Sequence, residues 1–261
     1  MSFAAGTTPP GTSDEQQAAR WVQQMFSAIA PRYDLINHVL SFNIDKSWRK
    51  ALLRHLGPVV SVPNAKVLDL CCGTGDVLLD LQSITPTRVM GADFSHPMLV
   101  SAQEKAARNG LRAPLFEADV LDLPVAAESL DAVSIAFGFR NLANYERGLR
   151  EFNRVLKTGG VLAILEFSHP PRALMRAAYG LYSRLLLPLV GTLLSGSPKA
   201  YTYLPSSIRK FPDADELAEL MRHAGFVENR FQLLTGGIAA LHIGKKSPAR
   251  SAGETSVDLF A

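Results

Sequence analysis

Short apolar runs alternate with amphipathic stretches through the middle of the chain, and that alternation carries most of the fold. Ala65–Leu70, Arg88–Ala92, Leu115–Ala118, Ser129–Phe137 and Val161–Phe167 are apolar runs bounded by turn-forming residues, and they predict strands. Between them, Asp76–Gln82, Ser95–Arg108 and Tyr145–Leu156 read as helices. Ser95 is placed as an N-cap and Gly110 stands just past the end of its helix. Lys157-Thr-Gly-Gly160 predicts a turn. A later helix over Asp213–Ala224, stopped by Gly225, leads into two more strands, Val227–Leu234 and Ile238–Gly244, joined by Thr-Gly-Gly. Strand–helix alternation of this kind predicts an α/β fold with a mostly parallel, seven-stranded sheet covered on both faces. The last two strands should close it as an antiparallel hairpin at or near one edge.

One domain is expected over residues 14–246. Residues 1–13 are rich in Gly, Thr, Pro and Ala, and 247–261 form a polar tail, so both ends are expected to be disordered. Hydrophobic content of 47% with 20% charged residues fits a globular core. The net charge of +3 is too small to argue for nucleic acid, which needs clustered Lys and Arg. The first residues do not resemble a signal peptide, and no apolar run reaches the roughly 20 residues of a membrane span. Cys71 and Cys72 are adjacent, so they cannot staple the fold and lack metal-ligand spacing; they are expected to pack as small apolar residues behind a turn. No metal is expected, and a cytoplasmic location is the expectation that follows.

The sharpest chemical feature is Val67-Leu-Asp-Leu-Cys-Cys-Gly-Thr-Gly-Asp76, a strand entering a Gly-rich turn and then a helix. Gly73 and Gly75, with Thr74 between them, permit a tight turn and a close approach of ligand to backbone. A dinucleotide fingerprint wants a third small residue at position 78, and Leu78 stands there, which weakens a nicotinamide reading. Asp69 is instead placed for the cationic amino acid end of S-adenosylmethionine. Asp93, 18 residues beyond Gly75, closes the second strand, where a carboxylate can accept from ribose hydroxyls. Asp119 and the backbone N–H of Val120 follow the third strand and are placed for adenine. These acids at successive strand ends predict an S-adenosyl-L-methionine site on a Rossmann-like, class I methyltransferase fold.

Three further segments concern the acceptor. They are Tyr33-Asp-Leu-Ile-Asn-His-Val-Leu-Ser-Phe-Asn-Ile-Asp-Lys-Ser-Trp48, Phe137-Gly-Phe-Arg-Asn141 and Arg154-Val-Leu-Lys-Thr-Gly-Gly-Val-Leu-Ala-Ile-Leu-Glu-Phe-Ser168. With Tyr201-Thr-Tyr-Leu-Pro-Ser-Ser-Ile-Arg-Lys-Phe-Pro212 they resemble the ubiquinone/menaquinone biosynthesis C-methyltransferase family, from about Phe26 to Lys245. The resemblance implies C-methylation of a polyprenylated quinol ring, with demethylmenaquinol as the first expectation and a benzoquinol intermediate of ubiquinone as the alternative. Ile36, Asn43, Thr158 and Ala136 depart from the family's usual Met, Gly, Pro and, in some relatives, Ser. Asn43 tolerates left-handed backbone angles, so its turn should survive. Only Ala136 leaves a cofactor contact in doubt.

The residues also point to a lipidic acceptor without the resemblance. From Phe167 to Pro212 there is no Asp or Glu, while Arg172, Arg176, Arg184, Lys199, Arg209 and Lys210 leave the rest of the chain net negative. The same stretch holds Leu185-Leu-Leu-Pro-Leu-Val-Gly-Thr-Leu-Leu194, which Pro188 interrupts. Residues 168–212 therefore read as a basic, apolar lid, suited to an anionic membrane face or a greasy tail. Methyl transfer to a ring carbon needs the neighbouring phenol to lose its proton, whose ordinary pKa is about 10. Arg140 is expected to hold the phenolate and Asn141 to position ring or cofactor. Tyr33, Asp34 and His38 are candidates to relay the proton. Competing readings are methylation of another small lipid or aromatic metabolite, and a non-catalytic cofactor-binding module. A homodimer is left open.

Overall fold

A strand covered on both faces needs apolar side chains at successive positions, and Val67–Leu70 (β1) is buried at every one. The computed structural model describes residues 6–183 and 198–248. Six further strands follow β1: Val89–Asp93 (β2), Leu115–Glu117 (β3), Leu130–Ala136 (β4), Leu156–Phe167 (β5), Phe226–Leu234 (β6) and Ala239–Lys246 (β7). They form one sheet in the order β3-β2-β1-β4-β5-β7-β6. Pairing is parallel from β3 through β5, and β7 runs antiparallel to both β5 and β6. This is the expected seven-stranded architecture with its closing hairpin. The predicted turn at Lys157–Gly160 lies inside β5, where the ladder slips: Leu130 faces Leu156, and Ala132 faces Val161.

The helices are Glu15–Ile29 (α1), Tyr33–Leu40 (α2), Asp45–Val60 (α3), Asp76–Ser83 (α4), His96–Arg108 (α5), Tyr145–Val155 (α6), helical residues 173–183 (α7), Pro198–Lys210 (α8) and Ala214–His223 (α9). Side chains alternate between the sheet's faces, and two cores follow from that period. Leu68, Leu70, Val133, Ile135, Leu162 and Ile164 join Leu149, Phe152, Leu217 and Met221 from α6 and α9. Val67, Ala132, Ala163, Leu165 and Leu241 turn the other way, onto Trp48, Leu52 and Leu56 of α3 and Val77, Leu78 and Leu81 of α4. Leu78 is thus wholly buried beneath the Gly-rich turn, where a dinucleotide-binding loop needs a small residue.

Two expectations need correction. Residues 6–13 were expected to lack structure, yet Thr7 and Pro9 are buried; the Thr7 N–H donates to the Leu142 carbonyl at 2.8 Å, and its hydroxyl pairs with that of Tyr203 at 2.7 Å. Polar, Pro-rich composition describes solubility but does not register such partners, which are remote in sequence. Ser95 occupies the N-cap position of α5, but its side chain makes no cap bond and pairs instead with Ser27 at 2.9 Å. Its own N–H is held by Asp93. Asn43 does adopt the left-handed turn, at φ 59°. The expectations for residues 1–5, for Arg184 and Leu185–Leu194, and for 249–261 lie outside the described residues.

Phe152 is wholly buried between α6, β5 and α9. Phe152→Ala is expected to cost about 3–5 kcal/mol of unfolding free energy, read from the denaturant midpoint, with no change in the secondary-structure spectrum.

Candidate active site

In open α/β sheets ligands bind at the carboxyl ends of the strands, where strand order reverses, and here that point lies between β1 and β4. After β1 the backbone turns through Cys71 (φ 49°), Gly73 (φ 54°) and Gly75 (φ 86°) before α4 begins. Gly75 is the left-handed N-cap residue, a conformation that glycine adopts without strain. Asp93, at the end of β2, clamps this turn. Its carboxylate accepts the N–H of Gly73 at 2.9 Å and the N–H of Ser95 at 2.8 Å. Burial nevertheless pushes Asp93 up to about 6.

Asp69 sits one strand over and is 1% exposed. It pairs in register with Ser134 of β4, whose hydroxyl donates to it at 2.7 Å. With no cation beside it, burial pushes Asp69 up to about 7. Two connected compartments open over these groups. The larger, about 390 Å³, meets Asp69, Gly73, Thr74, Tyr33 and Arg140. The smaller, about 60 Å³, meets Asp93, Asp119, Val120 and Asn141. Tyr33, Phe26, Cys71, Gly73, Ala136 and Phe137 line both and form the seam. Asp119 is exposed, and its carboxylate accepts the Leu121 N–H at 2.9 Å. Cys71 and Cys72 were expected behind the turn; both instead meet the larger compartment, and the left-handed backbone of Cys71 brings it to the seam. Burial raises both thiols well above their ordinary range, so they stay neutral.

The wall opposite the Gly-rich turn is aromatic. Phe137 lies 5.0 Å from Phe167 and 5.8 Å from Trp48, centroid to centroid. Phe137 itself carries φ 56°, and its carbonyl accepts from the Arg140 guanidinium and, at 3.3 Å, from the Asn141 amide. The guanidinium carbon of Arg140 stands 5.2 Å from the Phe167 ring centre. Arg140 is buried, and its Nη1 donates to Glu166 Oε1 at 2.8 Å. Its Nε is buried without a hydrogen-bond partner. Asn141 accepts at 3.0 Å from the Tyr203 hydroxyl, which α8 brings across the cavity.

Helix α2 covers the Gly-rich turn. Tyr33 faces the seam, and burial pushes its hydroxyl up to about 12. Asp34 and His38 lie on the same helix but line neither compartment. Asp34 accepts from the Thr74 hydroxyl and pairs with Lys105 at 2.5 Å. His38 Nδ1 lies 3.3 Å from Asp45, which also pairs with Arg49. Burial opposes the charge of Asp76, yet Arg49 at 3.1 Å and Lys105 at 2.8 Å outweigh it and hold that carboxyl below its usual range. This ionic cluster pins α2 and α3 to α4 and α5. Gly75 also stays behind the wall. Glu166, Tyr203, Lys105 and Arg49 were not singled out from the sequence. Glu166 alone left a signal there, as the one acid inside the apolar run Val161–Phe167.

The donor set fits S-adenosylmethionine: a buried carboxylate lacking a cation, a glycine turn open to the cavity, and two acids along the smaller compartment. The model of the ubiE/COQ5 methyltransferase family matches residues 12–246. The chain is 43% identical over 238 residues to the demethylmenaquinone methyltransferase of Deinococcus radiodurans, covering 91% of this chain and 97% of that one. It is 46% identical over 223 residues to the enzyme of that name from Thermus thermophilus, covering 85% and 100%. Among solved structures, a SAM-dependent methyltransferase from Aquifex aeolicus superposes with TM-score 0.55 at 20% identity, over 76% of this chain and 88% of that one. The [4+2]-cyclase SpnF superposes with TM-score 0.66 at 16% identity, over 95% and 100%. These two likenesses concern the fold alone. The family match, by contrast, spans every residue that lines the two compartments, and the chain belongs to the ubiE/COQ5 methyltransferase family.

Proposed function

We propose that this protein transfers a methyl group from S-adenosylmethionine to a ring carbon of a polyprenylated quinol, with demethylmenaquinol as the acceptor. One observation carries the reading: Arg140, a buried guanidinium with an unpartnered Nε–H, lines a cavity rich in aromatic and aliphatic side chains. Such a group calls for an anionic oxygen on a flat, greasy molecule. The names of the relatives from Deinococcus and Thermus support the same acceptor.

S-adenosylmethionine supplies an electrophilic methyl group when bound. Asp69 holds the ammonium of its amino acid end, Asp93 the ribose hydroxyls, and Asp119 with the Val120 N–H the adenine. Arg140 stabilises the quinol oxygen as its proton passes to water, which raises electron density on the neighbouring ring carbon. After that carbon bonds the methyl group and the methyl–sulfur bond breaks, it gives up its own hydrogen as a proton, which passes to water, and the ring regains aromaticity. Arg140 stays protonated throughout, so it is not the base. Tyr33, at the seam, stays neutral at physiological pH and can pass a proton only by donating and accepting in one step. Asn141, fixed by Tyr203 and lining the smaller compartment, positions the cofactor rather than the ring. Asp34 and His38 serve by holding α2 over the seam. Phe137, Phe167 and Trp48 keep water from the reacting carbon.

The lid reading finds partial support. Helix α7 turns Met175, Tyr179 and Tyr182 to the cavity and exposes Leu174 (85%) and Leu181 (62%). Phe42 (67% exposed) lies 6.2 Å from Tyr182, and Leu35 and Val39 of α2 are exposed. Arg172 and Arg176 supply exposed positive charge. No helix among the described residues is long and apolar enough to cross a membrane. This rim rests on an anionic leaflet at the inner face of the membrane, from which the prenylated quinol enters.

Four outcomes follow. With isotopically labelled cofactor and reduced demethylmenaquinone, mass spectrometry is expected to find one labelled methyl on the ring. Arg140→Ala should lose about a hundredfold in turnover while keeping cofactor affinity; loss of both in step, or label only on a benzoquinol, would count against the reading. Because binding an ammonium favours ionised Asp69, cofactor affinity should rise roughly tenfold from about pH 6 to about pH 7.5, with proton release. Calorimetry in two buffers reads this, and Asp69→Asn should flatten the dependence. Finally, Leu174→Ser with Leu181→Ser should weaken co-sedimentation with phosphatidylglycerol vesicles and leave turnover of a short-chain, detergent-dispersed quinol unchanged.

A further inference from the structure

Glu166 stands in β5 with the side-chain parity of Leu162 and Ile164, inside a buried strand, and is 1% exposed. A carboxylate in such a place survives as a charge only if its oxygens are fully engaged. Three N–H groups engage it. Oε2 accepts the backbone N–H of Arg140 at 3.1 Å, and Oε1 accepts that of Phe167 at 2.8 Å and the Arg140 Nη1 at 2.8 Å. One carboxylate therefore grips the Arg140 residue at its backbone and at its guanidinium. Nη1 is doubly used, because it also donates to the Phe137 carbonyl. A guanidinium is planar, so spending both hydrogens of Nη1 fixes its plane, with the Phe167 ring 5.2 Å away on one side. What remains is the Nε–H and the Nη2–H parallel to it. That fork is the edge suited to bidentate capture of an oxyanion, and the Nε–H in it has no partner.

We propose that Glu166 is a positioning residue for methyl transfer: by binding both the backbone and Nη1 of Arg140, it presents the Nε–Nη2 edge to the quinol oxygen. This rests on the reading of Arg140 given above. Glu166 lines neither compartment and touches no substrate, so it acts through Arg140 alone. Its negative charge also tempers the field that Arg140 exerts on the phenol.

The test is a double-mutant cycle in the full-length enzyme with cofactor and reduced demethylmenaquinone. In Glu166→Gln the amide must set its NH2 against N–H donors on one side, whichever way it is turned. Expected are a fall in kcat of tenfold or more, KM for the quinol and cofactor affinity within about twofold, and an acid limb of the pH–kcat profile moved down by about one unit. Glu166→Asp keeps the charge but shortens the reach, and should lower kcat with that limb in place. It carries the test if Glu166→Gln does not fold. In an Arg140→Ala background, Glu166→Gln should have no further effect on kcat, and the double variant should recover thermal stability because no carboxylate is left stranded. Additive losses, an unchanged kcat in Glu166→Gln, or a loss that tracks cofactor affinity would overturn the proposal. Wild-type turnover in Arg140→Ala would instead overturn the reading of Arg140 on which it rests.

Discussion

Strands β1 and β4 lie side by side at the point where the chain order reverses, so the loops that leave them diverge and open a gap that no other pair of neighbours provides. Everything in the site depends on that gap. The Gly-rich turn leaves β1 on one side of it, and the Phe137–Asn141 segment leaves β4 on the other. Gly138 shows how closely the two loops meet: a Cβ there would come within 2.4 Å of Cys71 Cβ. A larger residue at that position would force the turn and the Arg140 segment apart, and the two compartments would lose their common seam.

Around the gap the chain places carboxylates where water is scarce, and each is treated differently. Asp93 is held by the N–H groups of Gly73 and Ser95, which use it as a structural clamp while leaving lone pairs toward the smaller compartment. Asp69 is met by the Ser134 hydroxyl and the Leu78 backbone but by no cation, and so remains short of positive charge. Glu166 has a guanidinium and two backbone donors. Removing one partner of a buried pair such as Arg140–Glu166 typically costs about 3–5 kcal/mol, against about 0–1 kcal/mol for an exposed pair such as Arg150–Glu146. The stability of the site therefore depends on these few groups rather than on the more numerous surface pairs.

The roof over the gap is assembled from elements far apart in the chain. Helix α2 is pinned through Asp34 and Lys105, α7 through the Tyr182 hydroxyl on the Leu40 carbonyl, and α8 through Tyr203 on Asn141 and Thr7. Besides these polar contacts, Ile29, Ala30, Leu40 and Met98 form a small apolar core of their own, against which Tyr33, Tyr182 and Leu204 pack. This small core is separate from the two that pack on the faces of the sheet.

What the sequence by itself determined was everything written in local spacing. Apolar runs and helical periods marked out all seven strands and helices α4, α5, α6 and α9, though not α1–α3, α7 or α8, because burial of a face imposes a period of two or 3.6 residues on neighbouring positions. The glycines at 73 and 75 and the acids at 69, 93 and 119 were legible for the same reason, since each sits at a strand end that periodicity locates. Only the tertiary structure decided which of these groups meet. It drew Asp34 and His38 off the cavity lining into an ionic cluster whose other members, Asp45, Arg49 and Asp76, edge the larger compartment, bound Thr7 to Tyr203, and set Glu166 against Arg140. Such pairings depend on strand order and on crossovers that bring remote positions within hydrogen-bonding distance, and no spacing along a single chain records them.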